Sequence, residues 1–173
     1  MKNSRTLLAV SLTTAALCAN FLLAQQQSPT LKKDLTDLQF FQGTWSCKGT
    51  FPSTGKSIES RVTFTPDLDG AWLSVRHDDI PPNLFHALEL WGWDAKKSQF
   101  TATIFDSFGG ARHFTSQGWQ DQSFTWNGDS LAGSTAPSER FAFRKDSATQ
   151  FTVNWEVNRD GSWKVGDTLS CTH

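Results

Sequence analysis

Four polar side chains fall in step with apolar neighbours in a way that suggests a binding site. His77 follows Leu73 and Val75 at intervals of two. His86 precedes Leu88 and Leu90, Asp106 follows Phe100, Ala102 and Ile104, and Arg112 precedes Phe114. Residues two apart in a strand share a face, so all four are expected on the core side, near one end of the fold. Two imidazoles, a carboxylate and a guanidinium lining an apolar cup suit a polar head group, with the apolar walls taking the rest of a small molecule. Two plainer alternatives stay open. Strand ends are often polar simply because they meet water, and a one-residue bulge turns any of these side chains to the outer face.

Other chemistries have less to stand on. A histidine beside a carboxylate is a general-base pair, but the chain has no Gly-x-Ser-x-Gly elbow and no evident triad. His77-Asp78-Asp79 reads more simply as a solvated turn, and no catalytic residue is assigned. His77, His86 and Asp106 have zinc-ligand chemistry without a short ligand spacing, so no metal site and no cofactor are assigned. The chain carries 8 Trp and 14 Phe but no Tyr, and aromatic residues fill interiors by default. Phe141, Phe143, Phe151, Val153, Trp155 and Val157 alternate as core residues do, whereas Trp72, Trp91, Trp93 and Trp119 are expected to face outward. If the rings pack the interior solid, the protein is a structural or interaction module without a ligand.

Compartment decides how the cysteines are read. Lys2 and Arg5 precede the run LLAVSLTTAALCANFLLA, the pattern of a secretory signal peptide with cleavage after Ala24. An uncleaved anchor is the alternative, weakened as a spanning helix by the Ser, Thr and Asn within the run. Leu17 stands where lipoprotein processing before Cys18 wants a small residue. The expected organisation is a signal peptide over 1–24, a flexible segment over 25–34 and one domain over 35–173, exported to the periplasm or secreted. Removing 24 of the 173 residues leaves 149, enough for a single domain. No span follows the leader, and the absence of clustered Lys or Arg argues against nucleic acid as partner. In an oxidising compartment the remaining pair, Cys47 and Cys171, most simply forms a disulfide.

The elements that position these residues read as strands. Apolar and polar residues alternate with period two in ten runs: 42–51, 57–65, 70–78, 86–93, 98–106, 112–119, 122–128, 139–145, 149–158 and 162–172. Turn signals such as PDLDG, DSFGGA and NRDG separate them. Leu31 to Phe41 is the one helical stretch, a short turn capped by Asp34 or Thr36 that brings Leu38, Phe40 and Phe41 to the core. A long antiparallel meander hides its edges by closing into an up-and-down barrel of about ten strands, which pairs the first strand with the last. A Cys47–Cys171 bridge would then cross that seam. A two-sheet sandwich is the alternative. Simple alternation gathers the longer, Gly- and Pro-rich connections at one end, the expected mouth, and leaves Trp45 and the helical turn at the other.

Gly43-Thr44-Trp45, opening the first strand after a short apolar turn, resembles the calycin superfamily of lipocalins, fatty-acid-binding proteins and nitrobindins. More closely, LQFFQGTWSCKGTF, WGWDAKKSQFTATIFDSFG and VNRDGSWKV resemble the DUF1579 family of exported bacterial proteins, over roughly residues 35 to 172. The resemblance implies a calycin-like barrel in which Gly43 permits close packing and Trp45 plugs the base. It implies binding of a small apolar or amphipathic molecule, with isomerase or cyclase barrels and haem-binding nitrobindins as the alternatives within the superfamily. A haem site would need one inward histidine, for which His77 or His86 would serve. No histidine stands in the last two strands ahead of His173, where a nitrobindin would carry its ligand.

Overall fold

The computed structural model describes residues 30–129 and 138–173. The expected leader therefore lies outside the described residues, as does most of the NGDSLAGSTAPSE connection. The chain forms a 3₁₀ helix, Lys33–Phe41, followed by eleven strands: β1 (Gly43–Phe51), β2 (Lys56–Asp67), β3 (Trp72–Asp79), β4 (His86–Asp94), β5 (Gln99–Asp106), β6 (Ala111–Ser116), β7 (Trp119–Gln120), β8 (Ser123–Gly128), β9 (Glu139–Ser147), β10 (Gln150–Arg159) and β11 (Ser162–Thr172). The expected 112–119 run is divided at Gly118, whose φ of +86° takes the backbone out of the strand. Its remnant, β7, is a two-residue strand.

The strands make one antiparallel sheet in the order β6-β5-β4-β3-β2-β1-β11-β10-β9-β8-β7, and β6 pairs with β8 to close it into a barrel. Ten strands build the wall, with β7 an appendage of β8. The first and last strands pair as the closure argument requires, with Cys47 opposite Cys171 in register and joined to it by a disulfide. That seam is continuous from Ser46↔Thr172 to Thr50↔Thr168. The slender one is β6–β8, held in register at Phe114↔Gly128 and Thr115↔Asn127.

The lower half of the barrel is solid. Leu35, Leu38 and Phe41 of the 3₁₀ helix are buried beneath it. Phe41 stacks on Phe64 and Trp119, with its edge or face also against Trp91, Phe124, Phe143 and Phe151. The helix begins after Lys32 with no side-chain cap, in place of the expected Asp34 or Thr36 cap. What anchors it are contacts with the barrel, where the Lys32 N–H donates to the Gly70 carbonyl and the Trp119 indole N–H donates to the Asp37 carbonyl. Trp45 is fully buried, donates its indole N–H to the Phe41 carbonyl at 2.7 Å and packs on Phe151 and His173. Gly43, at φ +113°, leaves room for the His173 ring, which a Cβ would meet at 2.5 Å.

Three of the four tryptophans expected outside are packed against the interior or its base. Trp91 lies at the centre of the core against Phe64, Trp126 and Phe143. Trp93 packs on Phe100, and Trp119 on Phe40, Phe41 and Phe124. Trp72 is half-buried over Gly92, where a Cβ would meet its ring at 2.6 Å. In β4 both phases are apolar, and burying the indoles removes more surface from water than burying Leu88 and Leu90 would.

The bridge spans 124 residues of sequence, so the closed loop is long and its effect on the unfolded chain correspondingly large. Replacing Cys47 and Cys171 by serine is expected to lower unfolding stability by up to about 5 kcal/mol on the loop-entropy model. The guanidinium midpoint of the variant, compared with native protein with and without reductant, measures it.

Candidate functional site

Above the aromatic floor the barrel is open, with a cup of about 510 Å³ at the end carrying the longer connections. Its walls are mostly apolar. Phe51, Ile58, Ile104, Phe141 and Leu169 project from the strands, and Leu84, Phe85 and Phe108 reach over from the β3–β4 and β5–β6 connections. Leu84 and Phe108 are well exposed at the rim.

His77, Asp106 and Arg112 all line this cup. His86 does not, because the β4 phase that buries Trp91 turns Ala87 and Glu89 inward and His86, Leu88 and Leu90 to the outer face. There His86 Nδ1 and Asp78 Oδ1 lie 2.8 Å apart, in a surface cluster completed by Arg76. Hydrogen bonding from the Arg76 guanidinium holds the Asp78 carboxyl below the usual carboxylate range. His113 is likewise outside, between Thr101 and Thr103. Among the described residues no group of three or more His, Cys, Asp or Glu is placed to hold a metal ion.

The polar groups in the cup fall into three sets. In the first, Asp79 is buried, its Oδ1 accepts from Ser60 Oγ at 2.6 Å, and His77 Nε2 lies 3.0 Å from the same oxygen. The His77 ring stands edge-on to Phe85. The carboxylate thus orients the imidazole, and the hydroxyl in turn fixes the carboxylate.

In the second, Arg112 is shared between two carboxylates, Nη1 donating to Glu139 Oε2 at 3.0 Å and Nη2 lying 3.4 Å from Asp106 Oδ2. Glu139 Oε2 also accepts the Trp155 indole N–H at 2.8 Å. Asp106 Oδ1 takes the Phe108 and Gly110 N–H groups of its own turn. Arg112 Nε is sealed from solvent without a hydrogen-bond partner.

The third set is a pair of acids without a cation. Glu89 accepts the Trp91 indole N–H at 2.7 Å, and Asp167 is held by a backbone hydrogen bond from Trp155. Burial pushes the Glu89 carboxyl up from its ordinary value, against the pull of the Trp91 N–H and the charges of His77 and Arg112. Burial also pushes Asp167 up to about 6, opposed by His77 and the backbone hydrogen bond and reinforced by Asp79.

The sequence reading missed Glu89, Asp79 and Asp167, which line the cup, and Ser60 and Glu139, which support it. Glu89 is hidden by the choice of phase in HALELWGW. Asp167 is in step with buried Leu169 and Cys171, but the earlier part of the same run is not, because β10 and β11 shift register between Trp155↔Asp167 and Glu156↔Val165 and so turn Trp163 and Val165 outward. The skipped residue is Gly166, where a Cβ would meet the Trp155 ring at 2.3 Å. A glycine inside a strand is the available sign of such a bulge.

No family model and no curated protein matches this chain. Among solved structures it is similar to a redesigned β-barrel, with 14% sequence identity, a TM-score of 0.35, and coverage of 84% of this chain and 98% of that one. A likeness of that degree carries nothing about function.

Asp167 gives the site a pH signature. Its folded carboxyl titrates at about 6, above the ordinary 3.8, so the folded state holds the proton more tightly than the unfolded chain. The resulting contribution is fully present below the ordinary value and lost as pH rises through about 6. Asp167→Asn cannot ionise, so its stability relative to the native protein is expected to improve between about pH 4 and pH 8, by up to about 3 kcal/mol. Denaturant midpoints of both proteins at the two pH values measure the change.

Proposed function

We propose that this protein is an exported binder of a small apolar or amphipathic molecule, held in the cup at the open end of the barrel. The observation that carries the reading is the cup itself: about 510 Å³ of mostly apolar space, above a solid aromatic floor, with a few convergent polar side chains in its wall. That volume and composition belong to small-ligand sites. Exposed Leu84 and Phe108 at the rim offer an apolar path inward. His77, Asp106 and Arg112 are the proposed polar contacts, joined by Glu89 and Asp167. His86 has no part in this site.

Export is part of the same proposal. The Cys47–Cys171 disulfide is stable in oxidising compartments, and no helix among the described residues is long and apolar enough to cross a membrane. The N-terminal run has the composition of a cleaved leader. The proposal is in keeping with the calycin-like barrels that the Gly43-Thr44-Trp45 opening resembles and with the DUF1579 proteins that LQFFQGTWSCKGTF, WGWDAKKSQFTATIFDSFG and VNRDGSWKV resemble.

A second reading rests on His77. An imidazole oriented by a buried carboxylate at an apolar cup is the arrangement of a general base, which would make the barrel an enzyme of isomerase or cyclase type. Turnover of the bound molecule, lost in Asp79→Asn, would separate it from simple binding.

Native mass spectrometry tests the binding reading, using protein exported to an oxidising compartment and titrated with decanol. A one-to-one adduct is expected. Ile104→Trp, which places an indole in the cup, is expected to weaken it by about tenfold or more, since filling a site removes the contacts its ligand makes. Circular dichroism reports whether that variant folds. Equal binding by a folded Ile104→Trp defeats the reading, as does the absence of an adduct in the native protein both with decanol and with charged analogues of the same chain length.

A further inference from the structure

We infer that the cup takes an organic cation, an amine or quaternary ammonium on an apolar body, with Glu89 and Asp167 as its counter-ions. This rests on the small-molecule reading above and names the ligand class for that site.

The charge distribution in the cup points this way. Four carboxyl side chains line it, those of Asp79, Glu89, Asp106 and Asp167, against one guanidinium and one imidazole. Arg112 would be the natural anchor for an anionic head group, but it is already engaged. Glu139 and Asp106 lie on its two terminal nitrogens, and the third nitrogen is sealed beneath the surface. Its charge is balanced before any ligand arrives. His77 is likewise directed at Asp79.

Glu89 and Asp167 are different. Among the described residues neither takes part in an ion pair. Each accepts a hydrogen bond from a neutral N–H, which leaves oxygen lone pairs for a donor in the cup. An ionised carboxylate held away from water without a cation is costly, and the cost falls when a cation is brought to it. Burial has raised both carboxyls above their ordinary values, so their charged forms are penalised in this wall, and a cation beside them relieves that penalty. Phe85, Phe141 and Trp155 line the same wall and supply apolar surface for the body of such a ligand, and aromatic rings attract cations more than anions. An anionic head group would meet carboxylates in this wall with no free guanidinium to receive it.

Three probes of equal chain length separate the possibilities: decylammonium, decanol and decanoate, each titrated by calorimetry at about pH 7 and physiological salt. Decylammonium is expected to bind about tenfold or more tighter than decanol, and decanoate more weakly than either. In the Glu89→Gln/Asp167→Asn variant the ratio of decylammonium to decanol affinity is expected to fall towards one. Near-ultraviolet circular dichroism checks that the variant is folded. Should the double variant not fold, Asp167→Asn alone is expected to lower the ratio in part.

A second readout is proton release. At about pH 6 decylammonium binding should expel a fraction of a proton, seen as a dependence of the heat on buffer ionisation enthalpy, because the ammonium lowers the affinity of Asp167 for its proton. His77 and Asp79 share its field, and His77 and Arg112 that of Glu89. Proton uptake, or no change, counts against the inference. So does decanoate binding as tightly as decylammonium, or an affinity ratio unmoved in folded variants. If decanol binds but charge makes no difference, the inference falls and the small-molecule reading stands. If none of the three binds, both fall.

Discussion

The packing of Phe41 is the constraint on which the rest of this structure depends. Its ring is delivered by a segment that precedes the barrel, and it meets rings from β2, β4, β8, β9 and β10, together with Trp119 of β7. A barrel of ten wall strands encloses more space than inward side chains of ordinary size fill, and the 3₁₀ helix supplies the missing volume from below. Trp45, locked to the Phe41 carbonyl, continues the plug to the β1–β11 seam. Close packing of this kind leaves no room for water-sized voids, so the barrel divides into a filled base and an open cup. The cup exists because the plug stops where it does.

The polar lining of the cup follows from that division. Side chains above the floor border neither bulk water nor a packed core, and carboxyl groups there keep part of their hydration while losing some of it to apolar walls. Where a cation or imidazole is supplied by the fold, as at Arg112 and His77, the acid is satisfied. Where the partner is only an indole or backbone N–H, as at Glu89 and Asp167, burial raises the carboxyl. The difference between these two kinds of acid lies in their partners and not in residue type, and it separates carboxylates paired within the wall from carboxyls that have no ion-pair partner there.

Closure also has an uneven physical character. The β1–β11 seam is held by a continuous ladder and a disulfide, while β6–β8 is held at two register positions. The strong seam joins segments 124 residues apart in sequence, where ordering the chain costs the most entropy. The slender seam joins segments close in sequence, where less is needed.

Much of the architecture was legible in the amino-acid sequence because strand formation leaves a local mark. Period-two alternation and turn residues placed nearly every strand, the need to hide edges implied the barrel, and a cysteine in the first strand and another in the last implied the seam. His77, Asp106 and Arg112 were legible because their strands have one apolar face. What only the tertiary structure decided was phase and depth. In HALELWGW both faces are apolar, so the choice between leucine and tryptophan was made by the space around Phe41, which turned Glu89 inward and His86 out. In β11 a bulge at Gly166 ended the inward phase at Asp167, which is in step with Leu169 and Cys171, and turned Val165 and Trp163 outward. Alternation along one strand is a local property, but which face is inside depends on what the other strands have already filled.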